Sequence, residues 1–230
     1  MKAVILAAGR GERLGEITQR APKPMILYRN KPILEYNVEL CRKFGVTELY
    51  INTHHLPEQI RSYFGDGSRW GVHIEYSFEP ELLGTAGAVK NFERVLAGES
   101  FFVLYGDNYS EYDISALEQM QKKYSALGVI AFHWREDTSS SGVAEFNSDG
   151  KILKFVEKPK PGESDSRWVN AGIYFFRNEI LSHLPDGYSD FGKDIFPRIL
   201  TTGGDLFGVC RQDAVHAFDT PEMLKQSLRS

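Results

Sequence analysis

Cysteine is nearly missing from this chain. Cys41 and Cys210 are the two present, and neither has a partner at disulfide or metal-ligand spacing. That excludes a disulfide-stapled scaffold and a cysteine metal site, and it reads as reduced thiols in a cytoplasmic protein. Long apolar runs are missing as well, none approaching the roughly 20 residues of a membrane span, so no membrane association is expected. Met1-Lys2 leads directly into an apolar stretch, so no signal peptide is expected. Blocks of Lys and Arg do not occur, and 27 basic against 31 acidic residues give a net charge of −4. General nucleic-acid binding is therefore not expected. Internal repeats and long linkers are absent, and only residues 159–166 look loose.

What is present is an ordinary globular composition, 42% hydrophobic and 25% charged over 230 residues. That length suits one α/β domain able to bury its own core. Short apolar runs alternate with helical patterns. Strands are predicted at residues 2–7, 46–52, 72–78, 101–105 and 128–133. Helices are predicted at residues 32–44, 57–64, 85–96 and 113–124. Pro32 suits a first helical turn and Gly45 an end. This alternation predicts a right-handed βαβ core with a mainly parallel sheet and helices on both faces. Past Trp134 the rhythm changes. Strands at 143–146 and 152–156 flank Asn147-Ser148-Asp149-Gly150, a hairpin signal. A strand at 168–177, helices at 178–184 and 193–200, strands at 206–210 and 214–218, and a helix from Pro221 complete the reading.

Four features carry chemistry. The first strand runs into Leu6-Ala7-Ala8-Gly9-Arg10-Gly11-Glu12-Arg13, followed by Pro22-Lys23-Pro24. Small residues after a strand let backbone N–H groups approach a phosphate, and Arg13 and Lys23 add fixed charge. The loop lacks the third glycine of a dinucleotide fingerprint and the Gly-Lys-Ser/Thr of a Walker loop, so the alternative is an ordinary glycine turn. Second, Gly106-Asp107 puts a carboxylate at the end of an apolar strand, where Mg²⁺ and phosphate oxygens fit; the alternative is a turn aspartate. Third, Asp219 follows a short apolar strand and suits a second metal ligand or a helix N-cap. Fourth, Glu157-Lys158-Pro159 ends a strand, suiting sugar hydroxyls and a phosphate, or a solvated pair. Asn170-Ala171-Gly172 follows on the next strand with an amide and a bare backbone.

These segments together resemble the sugar-phosphate nucleotidyltransferase (NDP-sugar pyrophosphorylase) family. The resemblance rests on the 9–14 loop, Pro22-Lys23-Pro24, residues 83–88 (Leu-Gly-Thr-Ala-Gly-Ala), Gly106-Asp107, Glu157-Lys158-Pro159, residues 170–174 (Asn-Ala-Gly-Ile-Tyr) and Asp219-Thr220-Pro221-Glu222, in that order. Two departures stand out. Glu12 replaces the usual Thr or Ser, and Thr220 follows Asp219 directly, which shortens the last turn.

The resemblance implies a Rossmann-like nucleotide-diphospho-sugar transferase (GT-A-like) fold over residues 1–230, without a C-terminal left-handed β-helix. It implies the reaction of a nucleoside triphosphate with a sugar 1-phosphate to give NDP-sugar and pyrophosphate. Arg13 would hold pyrophosphate, Lys23 would neutralise phosphate charge, and Asp107 with Asp219 would hold Mg²⁺. Leu6, Ala7, Ala8, Gly9, Gly11, Glu79, Gly84, Thr85 and Gly87 would face the nucleotide, Glu79 as an acceptor for guanine. Glu157, Lys158, Asn170 and Gly142 would face the sugar phosphate. The nearest branch is the guanylyltransferases for D-glycero-D-manno-heptose 1-phosphate and mannose 1-phosphate, which points to GTP and surface-glycan synthesis. Uridylyl or thymidylyl transfer, a catalytically silent sugar-nucleotide sensor and a glycosyltransferase of similar fold are the alternatives. The last would normally show an Asp-x-Asp motif, which Gly106-Asp107-Asn108 is not. A homodimer is compatible with the sequence.

Overall fold

The first strand, Lys2–Leu6, is short and apolar, with Ala3, Val4 and Ile5 fully buried. A strand hydrogen-bonded on both sides within a parallel sheet needs such a run. The computed structural model describes residues 1–212 and 215–218. These divide into two compact units, the first built from Met1–Leu82, Leu104–Tyr112 and Val215–Phe218, the second from Leu83–Val103 and Asp113–Gln212. Among the described residues no helix is long and apolar enough to cross a membrane.

In the first unit, Lys2–Leu6 pairs parallel with Glu48–Thr53, which pairs parallel with His73–Phe78. Leu6 stands opposite Asn52, and Thr53 opposite Phe78. Parallel register puts the carboxyl ends of all three strands on one side. The residues that follow them, Ala7, His54 and Glu79, thus become neighbours. The helix Ile33–Lys43 buries Ile33, Leu34, Val38 and Cys41 and ends on Arg42 and Lys43, cations suited to a helix C-terminus. Pro57 opens the helix Pro57–Phe64, where its missing N–H is harmless, and Gly65 at φ 55° ends it.

Residues 15–32 of the same unit hold elements the sequence pattern does not announce. A helix, Glu16–Arg20, precedes a tight turn, Lys23–Met25. A hairpin then pairs Leu27–Tyr28 with Lys31–Pro32 around Arg29 and Asn30, both at positive φ (49° and 64°). Tyr28 packs against Tyr109 and Phe218 at centroid distances of 5.1 and 5.2 Å. Tyr109 reaches that cluster from the strand Asn108–Ser110, which pairs antiparallel with Val215–Ala217.

In the second unit, Gly128–Trp134 pairs antiparallel with Trp168–Phe176 and parallel with Leu206–Arg211. Gly142–Phe146 and Ile152–Glu157 form the expected hairpin, with Asn147 Oδ1 accepting from the Asp149 and Lys151 N–H groups. Trp168–Phe176 shifts register between Asn170 and Tyr174. Gly172 sits there at φ 69° and donates its N–H to Asn170 Oδ1, so the Asn-Ala-Gly segment is a bulge.

Two helical expectations are corrected. Residues 85–96 are two helices, Gly84–Lys90 and Glu93–Leu96, because the chain turns at Asn91-Phe92 to bury Phe92 and Leu96. Residues 193–200 are a wide turn, Phe191–Ile195, followed by the helix Phe196–Thr201. A single helix would place Pro197 in its interior, where it lacks a donor; restarting at Phe196 puts it in a first turn.

Candidate active site

The loop after the first strand is shaped by Gly11. It has φ 63°, and a Cβ there would lie 2.8 Å from Thr18 Cγ2 and 3.0 Å from Lys23 Cβ. A side chain is excluded twice over, and the bare residue lets the loop lie directly on Lys23. Gly9 differs: its φ is unexceptional, and a Cβ would meet nothing within 4 Å. The chain's own packing does not demand glycine at position 9. Arg13 is exposed on the short turn Glu12–Leu14.

Lys23 is 4% exposed, yet its ammonium donates to Asp107 Oδ2 at 2.5 Å. Pro22 and Pro24 bracket the lysine and stiffen its turn. Asp107 is positioned from the other side. Gly106 donates its N–H to the Leu6 carbonyl at 2.9 Å, and its Cβ would be 3.0 Å from that oxygen. Asn37, itself buried, donates to the Asn108 carbonyl and so ties the helix Ile33–Lys43 to the residue after the carboxylate. A buried lysine needs such an anion, and the Asp107 side chain, 28% exposed, keeps access to solvent.

A second network ties the same loop to the neighbouring strand ends. Ala7 N–H donates to Asn52 Oδ1 at 2.7 Å, and Asn52 Nδ2 donates to Glu79 Oε1 at 2.8 Å. Asn52 and Glu79 are both buried, Glu79 at 1% exposure. His54 Nδ1 lies 2.8 Å from the Glu79 carbonyl, and Arg10 Nε donates to His54 Nε2 at 3.2 Å. A carbonyl only accepts, so His54 carries its proton on Nδ1 and accepts at Nε2. His55 Nε2 faces the Thr18 carbonyl at 2.7 Å.

In the second unit, Gly84, Thr85 and Gly87 pack on residues 187–191. A Cβ at Gly84 would overlap the Ser189 carbonyl, and one at Gly87 the Gly187 carbonyl. Ala86 and Gly87 donate their N–H groups to the Ser189 carbonyl. Thr85 Oγ1 donates to Asp190 Oδ2 at 3.0 Å and accepts from the Phe191 N–H. These glycines are accounted for by internal packing.

Glu157 ends its strand with its carboxylate lodged against two bare residues. A Cβ at Gly142 would lie 2.6 Å from Glu157 Oε2, and one at Gly192 would overlap the same oxygen. Burial pushes the Glu157 carboxyl above its ordinary value. The Asp190 charge adds to that rise, while Lys158 and Lys193 oppose it. Lys158 itself sits at φ 52°, its N–H donating to the Ser141 carbonyl. Asn170 is engaged by the bulge: its amide donates to the Tyr174 hydroxyl at 2.8 Å.

The predicted residues therefore gather in two sets. Leu6, Ala7, Ala8, Gly9, Gly11, Arg13, Lys23, Glu79 and Asp107 belong to the first unit, and Gly84, Thr85, Gly87, Gly142, Glu157, Lys158 and Asn170 to the second. Asp219 lies outside the described residues. Sequence reasoning gave Asn52, Arg10 and Gly192 no role. Gly192 has a readable context, two residues past Asp190, whose side chain accepts from the Gly192 and Lys193 N–H groups. Asn52 and Arg10 have none, since their partners lie 27 and 44 residues away.

Among the described residues no three His, Cys, Asp or Glu side chains gather as a metal cluster. Magnesium does not require one, because it commonly keeps waters and takes one or two carboxylates with substrate phosphates. Asp107, a partly exposed hard-oxygen donor beside a lysine, fits that chemistry.

Comparison with known proteins gives these features a context. A family model described as nucleotidyl transferase matches residues 2–215. A UTP–glucose-1-phosphate uridylyltransferase of Synechocystis sp. is 38% identical over 223 residues, covering 91% of this chain and 58% of that protein. A mannose-1-phosphate guanylyltransferase catalytic subunit beta of Dictyostelium discoideum is 34% identical over 200 residues, covering 86% and 55%. The chain thus spans well under two thirds of the length of these curated relatives. In fold it resembles a Bacillus anthracis protein solved in complex with a sucrose, with TM-score 0.90, 24% identity, and coverage of 100% of this chain and 94% of that one. HddC from Yersinia pseudotuberculosis, solved complexed with GMP-PN, gives TM-score 0.81 at 24% identity, covering 99% and 98%. The mixed, mainly parallel sheet expected from the sequence is the fold these likenesses show.

Proposed function

The chain belongs to the nucleotidyl transferase family, and from that premise we propose that it transfers a nucleotidyl group from a nucleoside triphosphate to a sugar 1-phosphate, releasing pyrophosphate. The observation that carries the reading is the Lys23–Asp107 pair beneath the glycine loop. A sugar phosphate oxygen attacks the α-phosphorus, a P–O bond forms, and the bond to the β-phosphate bridge breaks. Anions are brought together throughout, so the protein's task is alignment and fixed positive charge.

Lys23, held rigidly by its burial, neutralises phosphate charge, and exposed Arg13 holds the departing pyrophosphate. Gly9 leaves its backbone open to a phosphate. Asp107, with Asp219, would hold Mg²⁺, which when bound draws charge from the α-phosphate. Glu157 accepts from sugar hydroxyls once ionised, and Lys158 and Lys193 offer charge to the sugar phosphate. Asn170 and Gly142 support that group, one by holding the bulge and the other by making room for the Glu157 carboxylate.

For the base we favour guanine, and for the sugar a manno-configured 1-phosphate, D-glycero-α-D-manno-heptose 1-phosphate before mannose 1-phosphate. The guanylyltransferase relative and the neighbour solved with GMP-PN support this reading. A second reading, UTP with glucose 1-phosphate, is favoured by the 38% identical uridylyltransferase. Pyrophosphate release measured over a grid of nucleoside triphosphates and sugar 1-phosphates with Mg²⁺ decides between them.

A further inference from the structure

We propose that Lys23 makes the binding of a divalent cation at Asp107 conditional on a polyphosphate: it opposes the cation alone and favours the cation that arrives with phosphate oxygens. The proposal rests on the function proposed above, because it concerns that same pair. Its basis is that both charges are held in place. Gly11 lies on the lysine stem, where a Cβ would be 3.0 Å from Lys23 Cβ and 3.4 Å from its Cδ. Pro22 and Pro24 fix the backbone on either side. The lysine side chain is 5% exposed, so its ammonium has little room to withdraw. Asp107 follows Gly106, whose N–H donates to the Leu6 carbonyl and whose Cβ would meet that oxygen, Ile5 and Leu34 at 3.0–3.1 Å. The Asn108 carbonyl beyond it accepts from buried Asn37. The pair therefore cannot open by much. The carboxylate can take another partner, but the ammonium stays beside it.

Fixed charge decides what the carboxylate accepts. Lys23 Nζ stands 2.5 Å from Asp107 Oδ2. Asp107 would have to share its carboxylate between a dication and that ammonium, and like charges at such range oppose each other strongly where water is scarce. Magnesium also sheds its waters reluctantly, and one carboxylate already paired with a lysine offers little in exchange. A triphosphate reverses the balance. Its oxygens accept from the Lys23 ammonium and hold the metal at the same time, so negative charge now lies between the two cations. Asp107, with 28% of its side chain exposed, is the member of the pair that solvent reaches. The buried lysine thus has two effects. It presents fixed charge to phosphate, and it keeps Asp107 from collecting cations while no nucleotide is bound.

The test uses the full chain as wild type, Lys23→Met, Asp107→Asn and the double variant, with Mn²⁺ as the probe. Water-proton relaxation measures Mn²⁺ bound without nucleotide, and calorimetry measures GTP or UTP bound with Mn²⁺ saturating. Lys23→Met is expected to bind Mn²⁺ alone at least about tenfold more tightly than wild type, since a positive charge at contact distance is gone. The same variant is expected to bind the triphosphate with Mn²⁺ at least about tenfold less tightly, because a charge-assisted contact to phosphate is lost. The gain in Mn²⁺ binding should vanish in the double variant, which lacks the Asp107 charge. A lysine with a purely structural role would lower both affinities or move neither. Mn²⁺ alone bound no more tightly by Lys23→Met than by wild type overturns the proposal. So does a gain that survives in the double variant, or a triphosphate affinity unchanged in Lys23→Met. If Lys23→Met fails to fold, Lys23→Gln makes the same comparison with a neutral side chain that keeps a polar end. Wild-type protein inactive with every substrate pair would defeat the function proposed above. The comparison without nucleotide needs no turnover and would still judge the role of Lys23.

Discussion

Lys23 and Asp107 are 84 residues apart in sequence and joined by a 2.5 Å ion pair, the lysine buried and the aspartate partly open to solvent. The asymmetry suits a fixed cation beside a carboxylate that can exchange partners. Replacing Lys23 by Met keeps the stem's volume and removes the charge. The expected result is a fall in kcat of about 10²- to 10³-fold, the range for one lost transition-state donor. Stopped or steady-state pyrophosphate assays measure it, and a loss under threefold would remove Lys23 from the mechanism.

Asp107→Asn retains the shape of the side chain while withdrawing its negative charge. The magnesium concentration needed for half-maximal rate is expected to rise at least tenfold, with nucleotide affinity in the absence of metal far less affected. Titration of activity with MgCl₂ checks this; an unchanged metal requirement would place the metal elsewhere.

Glu157 titrates above its ordinary value because burial and Asp190 disfavour its charged form. The folded state therefore holds a proton that the unfolded chain has already released. Between the two pKa values stability falls as pH rises, and below both this penalty is absent. Glu157→Gln stays neutral throughout. Its melting temperature relative to wild type should climb as pH rises through that interval and then level off. A difference independent of pH would show that Glu157 titrates normally.

The two glycines around Glu157 are expected to behave differently. A methyl at Gly192 meets chiefly the movable end of the Glu157 side chain. Gly192→Ala should leave thermal stability nearly intact and raise the KM for the sugar phosphate. A methyl at Gly142 also meets the Phe155 ring at 2.5 Å. Gly142→Ala should destabilise by about 1–3 kcal/mol, as overpacked cores do. Equal melting temperatures for the two variants would contradict this placement of Glu157.

Much of the architecture was legible because punctuation coincided with periodicity. Pro57 and Gly65 bound a helix found end to end, and the unbroken apolar run 101–105 is a strand with those limits. Misses came where packing decided. Nothing in Val89-Lys90-Asn91-Phe92 marks a break, yet burying Phe92 makes one. The hairpin at Arg29-Asn30 uses positive φ without glycine, so the usual signal is silent. At the site, charged residues next to glycines could be singled out from spacing. The burial of Glu79 could not, because an acid before a loop reads the same on the surface or in the interior. The spacing marks Gly84 and Gly87 as ligand contacts, but it does not show that a Cβ at either would also overlap the Ser189 or Gly187 carbonyl.

The most direct test of the account is pyrophosphate release with Mg²⁺ across four nucleoside triphosphates and the 1-phosphates of manno-heptose, mannose, glucose and N-acetylglucosamine. The account predicts release with GTP and a manno-configured sugar phosphate, and its loss in Lys23→Met. Release confined to another pair would keep the chemistry and replace the substrates. No release in any combination, from folded protein that binds nucleotide, would contradict the transferase reading and favour a sugar-nucleotide sensor.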